Sequence, residues 1–295
     1  MVVGLRHNRR TIAWGSWHVG FVGVLVSMMR SCAKAFAVAC AATSLFAQAA
    51  QAGGDLGFFG SAWQVGGFVF VAPKYEGAKD YEVLGAPFIA PAGLDETSRV
   101  QFRGPDDLRF RAIEFAGFEA GPLVGWRFDR DDNDAARLRG LGDVDGGFVA
   151  GAYVAYRLGP ISPFVSYHHQ LSGDDTGGLI RFGAEGRVPL SPGISVLATV
   201  GATYADDDFM DSYFEVTAAQ SAASVAGLGM YDAEASIKDV YLGLTSDIPL
   251  TDVWTLKLTG RYSRLVGDAA DSPIVESEDQ FFGGLGLSYR FDVAR

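Results

Sequence analysis

Ser166, His168 and Glu185 are the residues whose types and spacing come closest to a catalytic group. Ser166 and His168 lie two residues apart, and Glu185 follows in the next predicted strand. A hydroxyl, an imidazole and a carboxylate in contact would supply a nucleophile, a base and a group that orients the base. Alternation places Val165 and Tyr167 on the opposite face, so the simpler interpretation is that Ser166 and His168 point into a polar interior. The sequence has no nucleophile elbow, no HExxH pair and no phosphate-binding glycine loop, and we expect no catalytic residues and no cofactor.

Two acidic clusters, at 129–134 and at Asp206–Asp208, have the chemistry of a cation site. Hard cations such as Ca²⁺ and Mg²⁺ prefer several carboxylate oxygens at once. The clusters lack the spacing and the closing glutamate of an EF-hand loop. The simpler interpretation is a set of solvated loop faces that bridge lipopolysaccharide through divalent ions, and we predict no specific metal site.

A third set of charged residues alternates with apolar ones and is predicted to line a lumen. Its members are Arg157, Arg181, Glu185, Arg187, Lys257 and Arg261. Such residues could set the selectivity of a pore. They could equally form a salt-bridged plug, because a cylinder of about 12 strands is intermediate between filled barrels of about 8 and open porins of about 16.

The elements that position these residues show a period of two. From Ile180 to Leu190, apolar side chains alternate with Arg181, Gly183, Glu185 and Arg187, and similar runs cover 148–158, 194–204 and 254–262. Each run is about 10 residues or longer, which is enough to cross a bilayer when tilted. After residue 52 no stretch has the ~20 consecutive apolar residues of a transmembrane helix.

The connections distinguish a membrane barrel from a soluble sandwich, whose strands are usually about 5 to 6 residues long. Very short turns near Gly159, Pro192 and Thr251 alternate with long acidic segments at 129–145, 206–236 and 266–279. Short periplasmic turns and long outer loops are typical of outer-membrane barrels. We therefore predict an all-β, antiparallel transmembrane β-barrel of about 12 strands. The predicted strands are 63–72, 81–90, 98–103, 108–115, 121–128, 146–158, 161–171, 178–190, 194–205, 237–248, 253–265 and 280–291.

Residues 1–52 differ in composition from the rest. They contain basic residues and no acidic one, whereas the remainder keeps 19 basic against 35 acidic residues. From Met28 or Met29, the charges of Arg30 and Lys34, an apolar run and the end Ala50-Gln51-Ala52 predict a signal peptide that is cleaved before Gly53. We interpret 1–52 as an extension from a misassigned start plus this signal, and 53–295 as one barrel. The acidity of the barrel argues against nucleic-acid binding.

Several segments of the chain resemble one family. They are PKYEGAKDYEVLGAPF (73–88), LRGLGDVD (138–145), ADDDFMDSYFEVTAAQSAAS (205–224) and RYSRLVGDAADSPIVESEDQFFGGLGLSYRF (261–291). With these segments the chain is similar to the MipA/OmpV family of outer-membrane proteins, the first of which is named as the MltA-interacting protein.

The resemblance implies an outer-membrane location in a Gram-negative cell, contact with membrane lipid and lipopolysaccharide, and no catalytic residues. By analogy it also implies a scaffold that brings a lytic transglycosylase together with a bifunctional penicillin-binding protein in peptidoglycan remodelling. The alternative is a narrow channel for small solutes.

One outer loop is the candidate for recognition. Its acids and aromatic residues could either close the mouth or dock a surface ligand, and a short helix capped by Thr217 is predicted to follow them. The candidate residues are Asp206, Asp207, Asp208, Phe209, Tyr213 and Phe214.

Overall fold

The computed structural model describes residues 62–92, 99–174 and 176–292. The predicted extension, the signal peptide and its cleavage site lie outside these residues, so the division at Gly53 stays a prediction. Within the described residues the chain forms one antiparallel sheet with short helices in two of its connections.

The strands follow the predicted order along the chain. They are β1 (Ala62–Pro73), β2 (Tyr81–Pro91), β3 (Val100–Gly104), β4 (Asp107–Phe110), β5 (Ile113–Phe115), β6 (Phe118–Arg127), β7 (Gly147–Tyr156), β8 (Ile161–Gln170), β9 (Gly178–Ser191), β10 (Ile194–Ala205), β11 (Ser236–Pro249), β12 (Trp254–Leu265) and β13 (Asp279–Asp292). The helices are α1 (Asp207–Tyr213), α2 (Ala218–Ala223) and α3 (Gly267–Asp271). In the described part of the chain, no helix has the length and apolar character that crossing a membrane requires.

The sheet order is β2-β1-β13-β12-β11-β10-β9-β8-β7-β6-β4-β3, and β5 also pairs with β6. Because β4 and β5 both lie along β6, they are two halves of one interrupted strand. The prediction of twelve antiparallel strands is therefore confirmed. The long connections 74–80, 128–146, 206–235 and 266–278 gather at one end of the sheet, called here the loop end, and the short turns at 157–160, 192–193 and 250–253 lie at the other, called the turn end.

The period of two separates an apolar outer face from a polar inner face. On β8, Val165 and Tyr167 are 45% and 44% exposed, whereas Ser166 and His168 are buried. The same alternation exposes Phe182 on β9, Val200 on β10 and Leu242 on β11. In a bilayer an apolar outer face is covered by lipid, and the sheet satisfies the backbone polar groups that lipid cannot.

The strands between 98 and 128 differ most from the prediction. The predicted strand 108–115 is broken at Arg111 and Ala112, and β6 begins at Phe118, before the predicted start at 121. Ile113 pairs with Ala120 and Arg109 with Leu123, so the break lies opposite Gly121 and Pro122. Proline has no N–H to donate to a ladder, and the partner strand is interrupted where that donor is missing.

The hairpin formed by β3 and β4 turns inward. Its side chains reach across to β9, where Arg103 binds Glu185, and to β7 and β8, where Arg109 lies over the rings of Tyr153 and Phe164 at 5.0 Å each. Among the described residues no ladder joins β2 to β3, the two ends of the strand order. The charged face of the hairpin accounts for this position, because its partners lie on the inner face of β8 and β9.

The long connections pack together into a loop cap, which comprises residues 74–80, 128–146, 206–235 and 266–278. Two buried clusters hold it together. The first contains Leu179, Ala205, Phe209, Met210, Phe214, Ala233, Leu265 and Ala269. The second contains Tyr75, Ala78, Leu138, Leu141, Val216, Leu228 and Ile274. All four connections contribute to the second cluster, so they share an apolar interior at the loop end.

The helix predicted after Thr217 is confirmed as α2. The Thr217 hydroxyl accepts a hydrogen bond from the N–H of Gln220, and the Gln220 side chain accepts one from the N–H of Thr217, which is a complete capping box. Helix α1 was not predicted. Its N-cap is Asp206 and its first turn contains Asp207 and Asp208, so the acid run that suggested a cation site also has the composition of a helix start.

Candidate functional site

The inner face of the sheet carries a network of close ion pairs between the β3–β4 hairpin and the wall. Arg103 donates to both carboxylate oxygens of Glu185 at 3.0 and 2.8 Å. Arg181 donates to both oxygens of Asp106 at 3.0 and 2.6 Å. Both are fork-shaped contacts of the kind that hold an arginine in a single orientation. The predicted lumen residues Arg181 and Glu185 therefore fix the hairpin to β9.

Ser166 and His168 do meet, but without the glutamate. Ser166 Oγ and His168 Nε2 are 2.9 Å apart, and His168 Nδ1 lies 3.0 Å from the backbone carbonyl oxygen of Asp106. An N–H on Nδ1 would donate to this carbonyl and leave Nε2 to accept from the serine. Glu185 is instead held by Arg103, and both Ser166 and His168 are buried beneath the hairpin. The arrangement is a satisfied polar core, which is the simpler of the two interpretations of the sequence.

A cavity of about 440 Å³ lies at the turn end. Three of the predicted lumen residues line it, namely Arg157, Glu185 and Arg187. The other charged residues of its wall are Arg111, Glu114 and Glu119, from the region of β4, β5 and β6. The prediction omitted these three because they fall in the strands whose boundaries were least regular in sequence.

The remaining predicted lumen residues lie on the opposite part of the wall. Lys257 donates to Asp247 at 2.7 Å, on the neighbouring strand. Arg261 is 3.5 Å from Asp239 and lies over the ring of Tyr241 at 3.8 Å from its centre. The six residues are therefore divided between the hairpin contact, the cavity and this wall. A common role in selecting solutes stays a prediction.

The candidate recognition residues of the outer loop belong largely to the interior of the loop cap. Phe209 and Phe214 are buried, and the ring of Tyr213 stacks on Phe209 at 4.5 Å. Asp206 accepts from the N–H groups of Phe209 and Gly178, and Asp207 accepts from that of Ala235. Asp208, in the first turn of α1, is exposed. In this arrangement the aromatic members stabilise the cap, and a recognition role for the set stays a prediction.

The cap also contains charged groups whose protonation is set by their surroundings. Glu276 accepts hydrogen bonds from Lys79 at 2.8 Å and from the Tyr75 hydroxyl at 3.1 Å, and these bonds lower the pKa of its carboxyl below the usual value of 4.5. Burial, followed by the nearby charge of Glu276, raises the pKa of the Tyr75 hydroxyl. Three other carboxylates, of Asp131, Asp132 and Asp143, converge so that their nearest oxygens lie within 4.8 Å of one another.

A comparison with protein families decides the family of this chain. The model of the family described as "MltA-interacting protein MipA" matches residues 65–291, which is nearly all of the described sheet and its cap. The chain belongs to the MipA family.

Relatives of this MipA-family chain are named as outer-membrane proteins. The outer membrane protein YiaT of Escherichia coli strain K12 is 31% identical over 106 residues, which are 36% of this chain and 39% of YiaT. The outer membrane protein Omp26La of Vibrio anguillarum is 25% identical over 182 residues, which are 57% of this chain and 64% of Omp26La. The matched regions thus span less than two thirds of each of these relatives.

Among solved structures, an outer membrane channel from Pseudomonas putida F1 is similar at a TM-score of 0.40 and 14% identity, over 78% of this chain and 96% of that one. The names of the relatives place this MipA-family protein in the outer membrane.

Proposed function

We propose that this barrel is a scaffold of the outer membrane that holds a lytic transglycosylase and a bifunctional murein synthase on its periplasmic side. One observation carries the proposal. The two ends of the sheet are built differently, with a packed loop cap at one end and a charged cavity beside the short turn at Gly159 at the other. In outer-membrane barrels long loops face the exterior and short turns the periplasm. The polar groups of the turn end then face the compartment that contains murein.

The two partners are inferred from the family and not from residues of this chain. The family description names an interaction with MltA, a lytic transglycosylase. The synthase comes only from the family resemblance. Among the described residues, the periplasmic surface available to both includes the turns near Gly159, Pro192 and Thr251 and the cavity beside the first of them.

Crosslinking in intact envelopes tests the scaffold directly. Tagged barrel is recovered after crosslinking and probed for lytic transglycosylases and penicillin-binding proteins, with an unrelated barrel of similar abundance as the control. We expect specific recovery of both enzyme classes, and loss of recovery when the turns at Gly159, Pro192 or Thr251 are lengthened by inserted serines. Recovery of neither class, with the barrel correctly inserted, would reject the scaffold.

A narrow channel is the second candidate, and the charged inner face favours it. Charged residues such as Lys257 and Arg261 lie on the inner wall away from the hairpin. The loop cap and the inward hairpin weigh against it, because packed loops at one end and hairpin side chains that contact the inner face of β9 would narrow a path for solutes. Steady, cation- or anion-selective conductance of the purified protein in a planar bilayer would favour the channel over the scaffold.

We also propose that the protein is not an enzyme. Ser166 and His168 are buried, so a substrate could not reach the hydroxyl without displacement of the hairpin. Replacing Ser166 with Ala is expected to leave lipid and murein composition unchanged. A change in lipid or murein composition in Ser166→Ala would contradict the proposal, provided that the control variant His169→Ala shows no such change.

A further inference from the structure

The lipid-facing side of the wall has an open apolar groove across β9, β10, β11 and β12. Its volume is about 530 Å³, and no charged residue is among the described residues that line it. In the ladders Ala202 pairs with Phe182 on one side and with Val240 on the other, and its small side chain leaves a space between these larger ones. Six lining residues share the outward face, namely Phe182, Val200, Ala202, Val240, Leu242 and Tyr262.

Two paired glycines account for the shape of the wall at this groove. Gly183 and Gly201 are partners in the ladder between β9 and β10, and both line the groove. A Cβ at Gly183 would lie 2.1 Å from the carbonyl oxygen of Val200, and one at Gly201 would lie 2.6 Å from that of Phe182 and 2.8 Å from the Tyr241 hydroxyl. Neither position has room for a side chain. Glycines inside strands mark tight bends of this kind, and a bend toward the interior spreads the outward side chains apart.

The position of the groove along the wall is close to the loop cap. Ala202 lies near the end of β10, where the cap begins. At the next outward position after Tyr262, Arg264 binds Glu278 at 2.5 Å and Asp279 at 3.0 Å, and all three side chains are about half exposed. Charged side chains are costly in hydrocarbon, so these residues mark the level of the lipid head groups. The groove lies directly beneath that level, and long loops face the exterior, so the groove opens to the exterior leaflet.

We propose that this groove binds an acyl chain of lipopolysaccharide. The exterior leaflet of a Gram-negative outer membrane consists of lipopolysaccharide, whose lipid A part carries several saturated chains. Phe182 and Tyr262 offer broad apolar surfaces to such a chain, and burial of its methylene groups between them is favourable. The Tyr262 hydroxyl, which could orient a protein partner, is already bonded to Asp279 at 2.7 Å. The proposal depends on the location in the outer membrane and on the outward direction of the loop end, and not on the scaffold.

Native mass spectrometry tests the site on the purified, folded barrel in detergent micelles. Lipid A and phosphatidylglycerol are added in equal amounts, and the masses of the complexes show which lipid is retained. Both lipids have phosphate and acyl chains, so the comparison separates a site for lipid A from general adsorption of lipid. We expect a complex with one lipid A molecule and less retention of phosphatidylglycerol.

A substitution that fills the groove locates the binding. Ala202→Phe should reduce the retained lipid A by about tenfold, which corresponds to the loss of contact with about two methylene groups. The matched control is Ala198→Phe. Ala198 pairs with the exposed Leu244, so it lies on the same outward face of β10, but it does not line the groove. This control should retain as much lipid A as the unmodified barrel.

The comparison includes those variants that keep heat-modifiable migration. If Ala202→Phe does not fold, the choice between the two lipids by the unmodified barrel still decides. Equal retention of lipid A by folded Ala202→Phe and Ala198→Phe would place the lipid elsewhere and reject the groove. Retention of neither lipid, or of phosphatidylglycerol as strongly as lipid A, would overturn the proposal.

Discussion

At the scale of single residues, Lys238 is a buried cation that connects two elements. Its ammonium group donates to Glu76 in the loop cap and to Asp239 on β11 at 2.7 Å, and it lies 5.4 Å from the centre of the Phe209 ring. The two carboxylates would repel each other in its absence. Removing one member of a buried ionic group leaves an uncompensated charge, which is why such changes are costly.

Lys238→Met should lower the free energy of unfolding by about 3 to 5 kcal/mol. Urea unfolding of the barrel refolded into lipid vesicles, followed by tryptophan fluorescence, measures this. The matched control is Lys257→Met, whose partner Asp247 has a side chain that is 56% exposed. Exposed pairs contribute about 0–1 kcal/mol, so a similar loss in both variants would contradict a special role for Lys238.

Glu276 makes the cap sensitive to acid. The pKa of its carboxyl is lower in the folded cap than the usual 4.5, so its contribution to stability is complete above that pH. The contribution is lost as the pH falls through the lowered folded value. Two backbone N–H groups, of Glu276 and Ser277, donate to the carbonyl of Gly77 at 2.8 and 3.0 Å and join the same loops.

Hydrogen exchange of the Glu276 and Ser277 amide groups measures how much of this stability is lost at low pH. In the unmodified barrel their protection should decrease between pH 6 and pH 3 by more than the decrease in Glu276→Gln, which lacks the carboxylate at every pH. Comparing the two proteins at each pH removes the intrinsic dependence of exchange on acidity. An identical pH response of both would show that another group controls the contact.

At the scale of elements, the β3–β4 hairpin is held inside the sheet by Asp106 and Arg181. Both side chains are 16% exposed, and the two residues are 75 positions apart in the chain. Asp106→Asn and Arg181→Met should each cost about 3 to 5 kcal/mol of unfolding free energy. The double variant should cost little more than either single one, because each change already breaks the same pair.

Urea unfolding in lipid vesicles measures the free energy of unfolding of the two single variants and of the double variant. Losses that simply add would mean that the two residues act independently, and the hairpin would then be held by other contacts. Arg187→Met is the control for removing an arginine from β9, because Arg187 contacts the Ser195 hydroxyl on the exposed part of the strand.

The elements also show what a sequence can predict. A strand with one lipid-facing side is a local pattern, so β7, β9, β10 and β12 could be located from alternation, and the turns and loops between them placed the strands that remain in this half of the chain. The contact of Arg103 with Glu185 joins residues 82 positions apart, and alternation places each on a face without naming its partner. The inward hairpin and the buried roles of Phe209 and Phe214 depend on such distant contacts, and the break at Arg111 depends on Pro122 in a neighbouring strand.

At the scale of the whole molecule, the sheet should behave as an outer-membrane barrel during electrophoresis. Backbone hydrogen bonds shielded by lipid or detergent keep such barrels folded in dodecyl sulfate until they are heated. We expect the unheated protein to migrate faster than the boiled protein and to lose its strand signal in circular dichroism on boiling. Identical migration before and after boiling would contradict a folded transmembrane sheet.

The shared interior of the loop cap has a consequence for recognition from outside the cell. In a barrel with independent loops, each loop is a separate epitope that can change in length without affecting the others. Here Tyr75, Leu138, Val216 and Ile274 come from four connections and meet in one cluster. An antibody or phage that binds this surface would therefore contact residues of several loops at once. Antibodies raised against a peptide copied from any one loop would bind the folded surface poorly.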